Sequence, residues 1–414
     1  MTETQASPLH KWSVLLAISL ACLLGMSLWF SATAVVPVLT DIWSLTDGGA
    51  AWLTMSVQLG FVIGAMLSAL FNIPDLWAPR KVFAVGALAG GIMNAMIPAL
   101  DTGFAAAVVL RFGTGMALAT VYPVAMKIIA TWTDRDRGLS IGLLVGALTI
   151  GKASPHLVRA LGGTQEWQLV LYAVSGLAMI GACIGWFAGE LGPFASPTPR
   201  FRWQHMGRAL GVRPLRLANF GYLGHMWELY AMWTWIPLFL AASFRASGIS
   251  TPGNIGVDAF ASLGAFLAIA AGGLGSLMAG YLADRWGRTR TTMLSMCLSG
   301  SCALLIGLFY GTNPVFLLTI ALIWGFSIVA DSAQFSASVS ELSDREYVGT
   351  QLTTQTAMGF LLTMISIRLI PAVLDVVGWR WVFVFLAPGP AFGIWAMWRL
   401  RLSPDAVQLA GGRG

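Results

Sequence analysis

The chain has 414 residues, of which 57% are apolar and 10% are charged, and its formal net charge is +6 at pH 7. Soluble globular proteins carry about 25% charged residues, so this composition excludes an ordinary soluble domain, a disordered chain and a coiled coil. A bundle of membrane helices remains. At about 20 apolar residues per span, the length holds roughly a dozen spans and leaves little chain for a soluble catalytic domain.

Long apolar runs predict twelve transmembrane helices in an all-α membrane protein. The predicted spans are 12–38, 51–73, 81–100, 104–127, 138–160, 167–189, 215–243, 258–283, 291–311, 314–339, 350–375 and 379–400. They form two pseudo-symmetric six-helix bundles, at residues 1–190 and 215–400. A basic linker at 191–214 joins the bundles, and a tail follows at 401–414.

The basic residues predict the orientation in the membrane. If the N-terminus is cytoplasmic, 18 of the 24 Lys and Arg residues lie in cytoplasmic segments, and only Arg159, Arg245 and Arg380 lie on the other side. Such an excess is typical of the cytoplasmic side of membrane proteins. We therefore expect a multi-pass protein with both termini in the cytoplasm. The same distribution explains the basic charge without nucleic acid as a partner.

The two groups of spans also resemble each other in sequence. The acidic and basic segment 134–138, before the fifth span, returns at 344–349 before the eleventh, 210 residues later. Asp75, after the second span, returns as Asp284 after the eighth, 209 residues later. This pattern indicates a duplicated six-span unit. Repeated halves with a binding site between them are the architecture of many secondary transporters.

The segment after the eighth span carries a recognisable motif. It reads Gly-Tyr-Leu-Ala-Asp-Arg-Trp-Gly-Arg and resembles the G-x-x-x-D-R-x-G-R loop of the major facilitator superfamily through Gly280, Asp284, Arg285, Gly287 and Arg288. The resemblance implies the fold of that superfamily, and it implies that these five residues form a conformational-switch loop. The N-terminal copy departs from the motif, because Phe71 occupies the glycine position and Pro79 delays the basic pair.

The fourth span carries Arg111 and Gly115, similar to the R-x-x-x-G motif of the same superfamily. For Arg111, packing and proton coupling are both open. The resemblance further implies a transporter in a bacterial cytoplasmic membrane, surrounded by lipid and without a cofactor or metal. A monomer is expected.

Ionisable residues inside the spans are the main functional candidates, because each costs several kcal/mol in lipid unless it is paired or hydrated. Lys152 and His156 share one face of the fifth span. Lys152 is predicted either to contact an anionic solute or to pair with Glu228 or Asp331. The charged candidates are Arg111, Lys152, Glu228, Asp331 and Arg368. Three cations against two carboxylates favour an anionic or zwitterionic solute.

The seventh and tenth spans carry the other candidates. His225 and Glu228 share one face of the seventh span with Trp235 at its edge, and Tyr230 lies on the opposite face. Asp331 and Gln334 belong to a polar stripe on the tenth span that is predicted to line the pathway, with Trp324 one turn earlier. Arg368 is expected either to neutralise Asp331 or to attract anions. The predicted solute-binding residues are Lys152, His156, His225, Tyr230, Trp235, Trp324, Gln334 and Arg368, and the predicted proton-coupling residues are Asp331, Glu228 and Arg111.

These patterns predict a proton-coupled permease for a small polar solute, and the excess of cations inside the spans favours an anion. One alternative is an exporter of drugs or metabolites by proton exchange, although Ser154-Pro155 replaces the Gly-Pro that such exporters carry in the fifth span. A second alternative is a membrane protein of this type that senses a ligand or assists assembly without transport. No enzyme activity is expected, because the sequence contains no nucleophile elbow, phosphate loop or HExxH motif.

Overall fold

The computed structural model describes residues 8–100, 103–133, 137–162, 166–195, 201–248, 255–344 and 346–414. Across these residues the chain is helical and contains no β-strand. The spans, in order, are Pro8–Met26 with Ser31–Ala34 and Val36–Trp43; Asp47–Leu70; Pro79–Ala99; Phe104–Leu118 with Tyr122–Trp132; Arg137–Gly162; Trp167–Ala188; Arg213–Ser247; Val257–Trp286; Arg288–Leu305 with Ile306–Phe309; Pro314–Ala330 with Ser332–Leu342; Val348–Val377; and Val382–Leu386 with Pro388–Arg401. Short helices outside the spans are Ile73–Leu76, Trp203–His205, Arg208–Gly211 and Pro404–Gly411.

Eleven of the described helices are long and apolar enough to cross a membrane. The twelfth is the seventh span, Arg213–Ser247, which at 35 residues is also long enough. Its mean hydropathy is lowered by His225, Glu228 and a series of tryptophan and tyrosine residues, most of which are buried in the protein rather than exposed to lipid. The predicted twelve-helix fold is therefore confirmed.

Three spans that the sequence predicted as continuous helices are broken near their middle. The first span stops at Met26 and resumes at Ser31, the fourth stops at Leu118 and resumes at Tyr122, and the tenth is interrupted at Asp331. A break inside a membrane frees backbone carbonyls, which need partners because lipid offers none. At the break in the first span, the side chain of Arg111 supplies such partners.

The two halves contact each other mainly through two helix pairs, the fifth span with the eighth and the second with the eleventh. The fifth and eighth spans approach closely at glycines. A Cβ atom added to Gly146 would lie only 3.1 Å from the carbonyl oxygen of Gly273. Small residues at such crossings allow the backbones of membrane helices to touch. In the eighth span, Gly272 and Gly275 instead face the tenth span.

The linker lies at the same end of the bundle as the start of the eleventh span. Arg208 in the linker helix pairs with Asp344 at 2.8 Å, and Arg202 pairs with Glu346 at 3.2 Å. We call this the linker end of the molecule and the other the opposite end. The segment Pro404–Gly411 folds back at the linker end, where its Ala410 N–H donates to Glu341 at 3.0 Å.

Candidate functional site

The side chain of Lys152 lies among aromatic rings where the two halves meet. Its ammonium is 4.1 Å from the ring centre of Trp29, 4.8 Å from that of Tyr230 and 5.6 Å from that of Trp233. It also donates a hydrogen bond to the Tyr230 hydroxyl, and Lys152 is only 3% exposed. We call these four residues the central cage. Trp29 comes from the first span and Tyr230 and Trp233 from the seventh, so both halves build it.

The ammonium in the central cage has no carboxylate partner among the described residues. The predicted ion pair with Glu228 or Asp331 is absent among the described residues. Glu228 accepts hydrogen bonds from Ser299 and Trp324, and Asp331 lies 2.9 Å from His225. Aromatic faces attract a cation by about 0.5–2 kcal/mol, which compensates only part of the cost of burying it. The indole N–H groups of Trp29 and Trp233 also lack an acceptor among the described residues. The cage therefore offers a positive charge and unpaired donors.

Phenylalanine rings surround the central cage on the other sides. Phe360 of the eleventh span packs 5.1 Å from Tyr230 and 5.4 Å from Trp29, measured between ring centres. Phe61 of the second span packs 5.0 Å from Phe360. These contacts exclude water and connect the four spans that meet at the centre of the molecule. A low local dielectric strengthens the field of the Lys152 ammonium.

Arg111 supports the cage from the N-terminal half. Its guanidinium is fully buried and donates to the backbone carbonyls of Leu28 and Trp29, which the break in the first span has freed. It also donates to Ser31 Oγ at 2.7 Å and Asn94 Oδ1 at 3.1 Å. All of these acceptors are neutral and lie in the same half. Of the two roles left open by the sequence, this geometry matches packing, because Arg111 fixes the broken helix that carries Trp29.

His225 and Asp331 form the main polar contact of the C-terminal half. His225 Nδ1 lies 2.9 Å from Asp331 Oδ1, and the side chains are 1% and 2% exposed. Asp331 sits at the interruption of the tenth span, and His225 Nε2 has no partner among the described residues. The expectation that Arg368 neutralises Asp331 does not match these contacts. An imidazole paired with a carboxylate can exchange a proton with whatever reaches the free ring nitrogen.

Glu228 lies one turn along the seventh span from His225 but has its own partners. Its carboxylate accepts a hydrogen bond from Trp324 Nε1 at 2.7 Å and from Ser299 Oγ at 2.8 Å. Both donors belong to the C-terminal half, and Glu228 is 1% exposed. Trp324 was predicted to contact the solute, but its indole N–H is already used by Glu228. Glu228 is therefore held in place on both oxygens.

The motif loop is connected to the tenth span through Arg288. The Arg288 guanidinium contacts Glu341 at 2.9 Å, Asp284 at 3.1 Å and Gln334 Oε1 at 2.8 Å. Gln334, a predicted solute-binding residue, thus bonds to the loop instead. Gly287 adopts a φ of +95°, a conformation that glycine accommodates without strain.

The remaining loop residues lie around this network. Gly280 is buried in the eighth span, and the Arg285 guanidinium lies 4.0 Å from the ring centre of Tyr281. The five motif residues therefore differ in the contacts that they make. Only Arg288 joins the loop to another span, through contacts that would have to change if the tenth span moved.

A small cleft lies between the halves near the opposite end. Trp235 lines it, one turn beyond the cage residue Tyr230, and donates its indole N–H to the Ile367 carbonyl at 3.2 Å. Arg159, Arg245 and Asp258 also line the cleft. Arg245 and Asp258 form an ion pair. The cleft therefore lies next to the part of the seventh span that carries the cage residues, although no cage residue lines it.

The last two predicted residues lie apart from the cage. His156 is fully buried, and neither of its ring nitrogens has a partner among the described residues. Arg368 is exposed at the opposite end and packs against Gly48 at the start of the second span. A Cβ atom added at Gly48 would collide with the guanidinium of Arg368. Arg368 does not line the cleft.

Sequence reasoning missed Trp29, Trp233, Ser299 and Arg159. An aromatic residue in a membrane span carries no signal of its own, because most such residues are packing. Arg159 had a usable signal: it lies at i+7 from Lys152, on the face shared with His156. It was counted among the charges of the non-cytoplasmic side because it lies beside the predicted end of the fifth span at residue 160, whereas the helix continues to Gly162.

The sequence profile of the Major Facilitator Superfamily matches residues 17–328 and 219–414. The chain is 24% identical over 268 residues to the probable L-galactonate transporter of Escherichia coli (strain K12), covering 56% of each protein. It therefore spans only about half the length of that relative. It is also 22% identical over 370 residues to an MFS-type transporter of Gibberella moniliformis (strain M3125 / FGSC 7600), covering 86% of this chain and 81% of that one.

Two solved structures share the fold. The nucleoside transporter NupG superimposes with a TM-score of 0.70 at 15% identity, covering 94% of this chain and 99% of NupG. A bacterial homologue of the human lysosomal transporter Spinster, in an inward-facing and unoccupied conformation, gives a TM-score of 0.65 at 16% identity, covering 96% and 100%. At these identities the similarity concerns the fold alone.

The two six-helix halves with a polar site between them define the class of the protein as a multi-pass membrane transporter. The chain belongs to the Major Facilitator Superfamily. Transporters of this superfamily carry small-molecule solutes and sit in the lipid bilayer.

Proposed function

We propose that the protein moves a small organic anion across the cytoplasmic membrane of a bacterium by proton-coupled alternating access. The observation that carries this proposal is the Lys152 ammonium, which is buried at the interface of the halves without a carboxylate partner among the described residues. A solute carboxylate would supply the missing negative charge. The unpaired indole N–H groups of Trp29 and Trp233 would donate to its oxygens.

The chemistry of the site favours a sugar acid or a hydroxy acid as the solute. Aromatic rings stack on the apolar faces of carbon chains. The cleft carries the hydroxyls of Thr33, Thr54 and Thr234, which form internal hydrogen bonds and whose oxygens can also accept from the solute's own hydroxyl groups. The E. coli relative is a probable L-galactonate transporter. L-galactonate is therefore the first solute to test.

The proton-coupling role is assigned to Asp331 with His225. Both groups are buried, they lie 2.9 Å apart, and the second ring nitrogen of His225 has no partner in the described structure. Asp331 also sits at the break of the tenth span, where movement of the span would change its surroundings. Burial and partner distance set the protonation of a carboxyl group. A change of conformation can thereby take up or release a proton.

The test uses purified protein in liposomes with labelled L-galactonate, other hexonates, lactate, a neutral hexose and a cationic dye. We expect exchange of at least one of the organic acids and no exchange of the hexose. Lys152→Ala should lower the exchange rate at least tenfold while the protein stays folded, since no carboxylate is left unpaired. Lys152→Arg should change KM, because a guanidinium and an ammonium are not interchangeable. Lys81→Ala, an exposed lysine at the start of the third span, is the control.

Two outcomes would contradict the proposal. The first is a folded Lys152→Ala protein that exchanges organic acids at the unaltered rate. The second is exchange of the cationic dye alone, which would instead support the proton-driven exporter. A protein that binds an organic acid but never exchanges it would support the sensor.

A further inference from the structure

Arg159 is a buried cation in the cleft that the site described above does not use. It is 5% exposed, and its Nε has no hydrogen-bond partner among the described residues. Its guanidinium forms no hydrogen bond or ion pair with the residues that the structure describes. The charge of Asp258 acts on it, but Asp258 is paired with Arg245. A guanidinium that lines a cleft without a partner is available to a ligand from that cleft.

Arg159 and Lys152 are aligned along the fifth span. They are seven residues apart, which is two helical turns and about 10 Å along the axis. His156, at i+4 from Lys152, lies on the same face. The three residues therefore form a line of basic side chains from the cleft to the central cage. Along this line no described carboxylate pairs with either cation.

The charge and shape of the cleft favour one class of ligand. Among its lining residues, two arginines face one aspartate, so the cleft carries a net positive charge. Most of the other lining groups are apolar, for example Pro37, Trp235 and Leu238. A guanidinium binds a carboxylate through two parallel hydrogen bonds, a geometry that an ammonium cannot offer.

We propose that Arg159 is an outer carboxylate site at which an organic anion docks before it reaches Lys152. The transfer to Lys152 rests on the proposed function, whereas the outer site itself does not. The anion binds first by its carboxylate to the guanidinium in the cleft. It then passes two turns along the fifth span to the central cage, and Arg159 thereby raises the rate of loading from the opposite end.

A test of the outer site needs no knowledge of the solute. Thr234→Cys places a thiol in the cleft in a background in which the exposed Cys183 and Cys297 are serines. The rates of reaction with a sulfonate-bearing and a trimethylammonium-bearing methanethiosulfonate are then compared. We expect the anionic reagent to be favoured, and Arg159→Gln to lower the ratio of the two rates roughly fivefold. Arg159→Lys should keep most of the ratio, and Arg380→Gln, an exposed arginine at the same end, should not change it.

A second measurement uses lactate and L-galactonate as probes that protect the Thr234→Cys thiol. Protection by millimolar amounts of either should weaken at least fivefold in Arg159→Gln and persist in Lys152→Ala. This measurement separates the two proposals. If the Lys152 site does not exist, an organic acid bound at Arg159 would still protect the thiol. An unchanged rate ratio in a folded Arg159→Gln protein would overturn the outer site. If Arg159→Gln fails to fold, the test uses Arg159→Lys, which retains the positive charge. Loss of the anion preference in Arg159→Lys would also overturn the outer site.

Discussion

The centres of the two halves handle buried charge in opposite ways. In the N-terminal half the charged groups are the cations Arg111, Lys152 and Arg159, and only Arg111 has a full set of acceptors. In the C-terminal half the central charged groups are Glu228 and Asp331, and each contacts a donor from its own half. The duplicated unit has therefore diverged into one half that presents positive charge and one that holds protonatable acids.

This difference agrees with the proposed function, in which the two halves have separate tasks. A cation without a carboxylate is suited to a mobile anion, because the anion can leave without breaking an internal ion pair. A buried carboxylate beside an imidazole, as in Asp331 with His225, is suited to a proton, because the imidazole can exchange it. If both tasks lay on one pair, solute and proton would compete for the same charge.

The largest effect is expected at the satisfied cation, Arg111. Arg111→Met removes the donors to the Leu28 and Trp29 carbonyls while keeping part of the side-chain volume. Buried acceptors that lose their donors cost about 1–3 kcal/mol each. We expect loss of several kcal/mol in total and little folded protein, measured by size-exclusion chromatography and thermal unfolding in detergent. Stable, transport-inactive Arg111→Met would instead indicate a role in coupling.

The next prediction concerns the acid at the break of the tenth span. Asp331→Asn keeps the size of the side chain and its contact with His225 but cannot titrate. In liposomes we expect loss of pH-gradient-driven accumulation by at least tenfold, with exchange of labelled for unlabelled solute retained, since exchange needs no net proton movement. Normal accumulation by Asp331→Asn would move the coupling role to Glu228.

Glu228 should respond less, because its two hydrogen bonds can survive a neutral substitution. In Glu228→Gln the amide oxygen can still accept from Trp324, and the amide N–H can donate to the Ser299 hydroxyl. We expect accumulation and KM within about threefold of the unaltered protein, measured in the same liposomes. Glu228→Ala provides the comparison, because it leaves the buried Trp324 N–H unpaired and should cost about 1–3 kcal/mol. A tenfold loss in Glu228→Gln would contradict the division of roles.

The architecture was predictable from the sequence because membrane helices are specified locally. Apolar length alone locates eleven of the helices. The repeat around Asp75 and Asp284 indicates that the spans form two related halves. The breaks at residues 27–30 and at Asp331 were not predictable. They depend on partners from other spans, such as Arg111, which lie more than 80 residues away along the chain.

The candidate site was only partly predictable, for a related reason. Charged residues are rare inside membrane spans, and the sequence therefore identified Lys152, Glu228 and Asp331 as candidates. Helical periodicity could not tell which of these groups meet across helices. It therefore allowed a pair between Lys152 and an acid, whereas Lys152 is enclosed by Trp29, Tyr230 and Trp233.

The smallest effect on stability is expected at the linker end, where the loops of the two halves differ in their contacts. Arg288 of the C-terminal loop is 13% exposed in its side chain and contacts Glu341, Asp284 and Gln334. Among the described side chains, Arg80 of the N-terminal loop pairs with Glu190, which follows the sixth span; the two are 3.9 Å apart and about half exposed. Charge-assisted contacts that are partly buried contribute about 1–3 kcal/mol, whereas an exposed pair contributes at most about 1 kcal/mol.

We therefore expect Arg288→Gln to lower the unfolding temperature in detergent by several degrees and Arg80→Gln to leave it nearly unchanged. The two variants are matched in residue type, in substitution and in their end of the molecule, so burial and partner number are the main differences. Because the contacts of Arg288 tie the loop to the tenth span, Arg288→Gln should also change the rate of exchange. Equal effects of the two variants would mean that the N-terminal loop works as a second latch despite its altered motif. A larger effect of Arg80→Gln would reverse the comparison of the halves at this end.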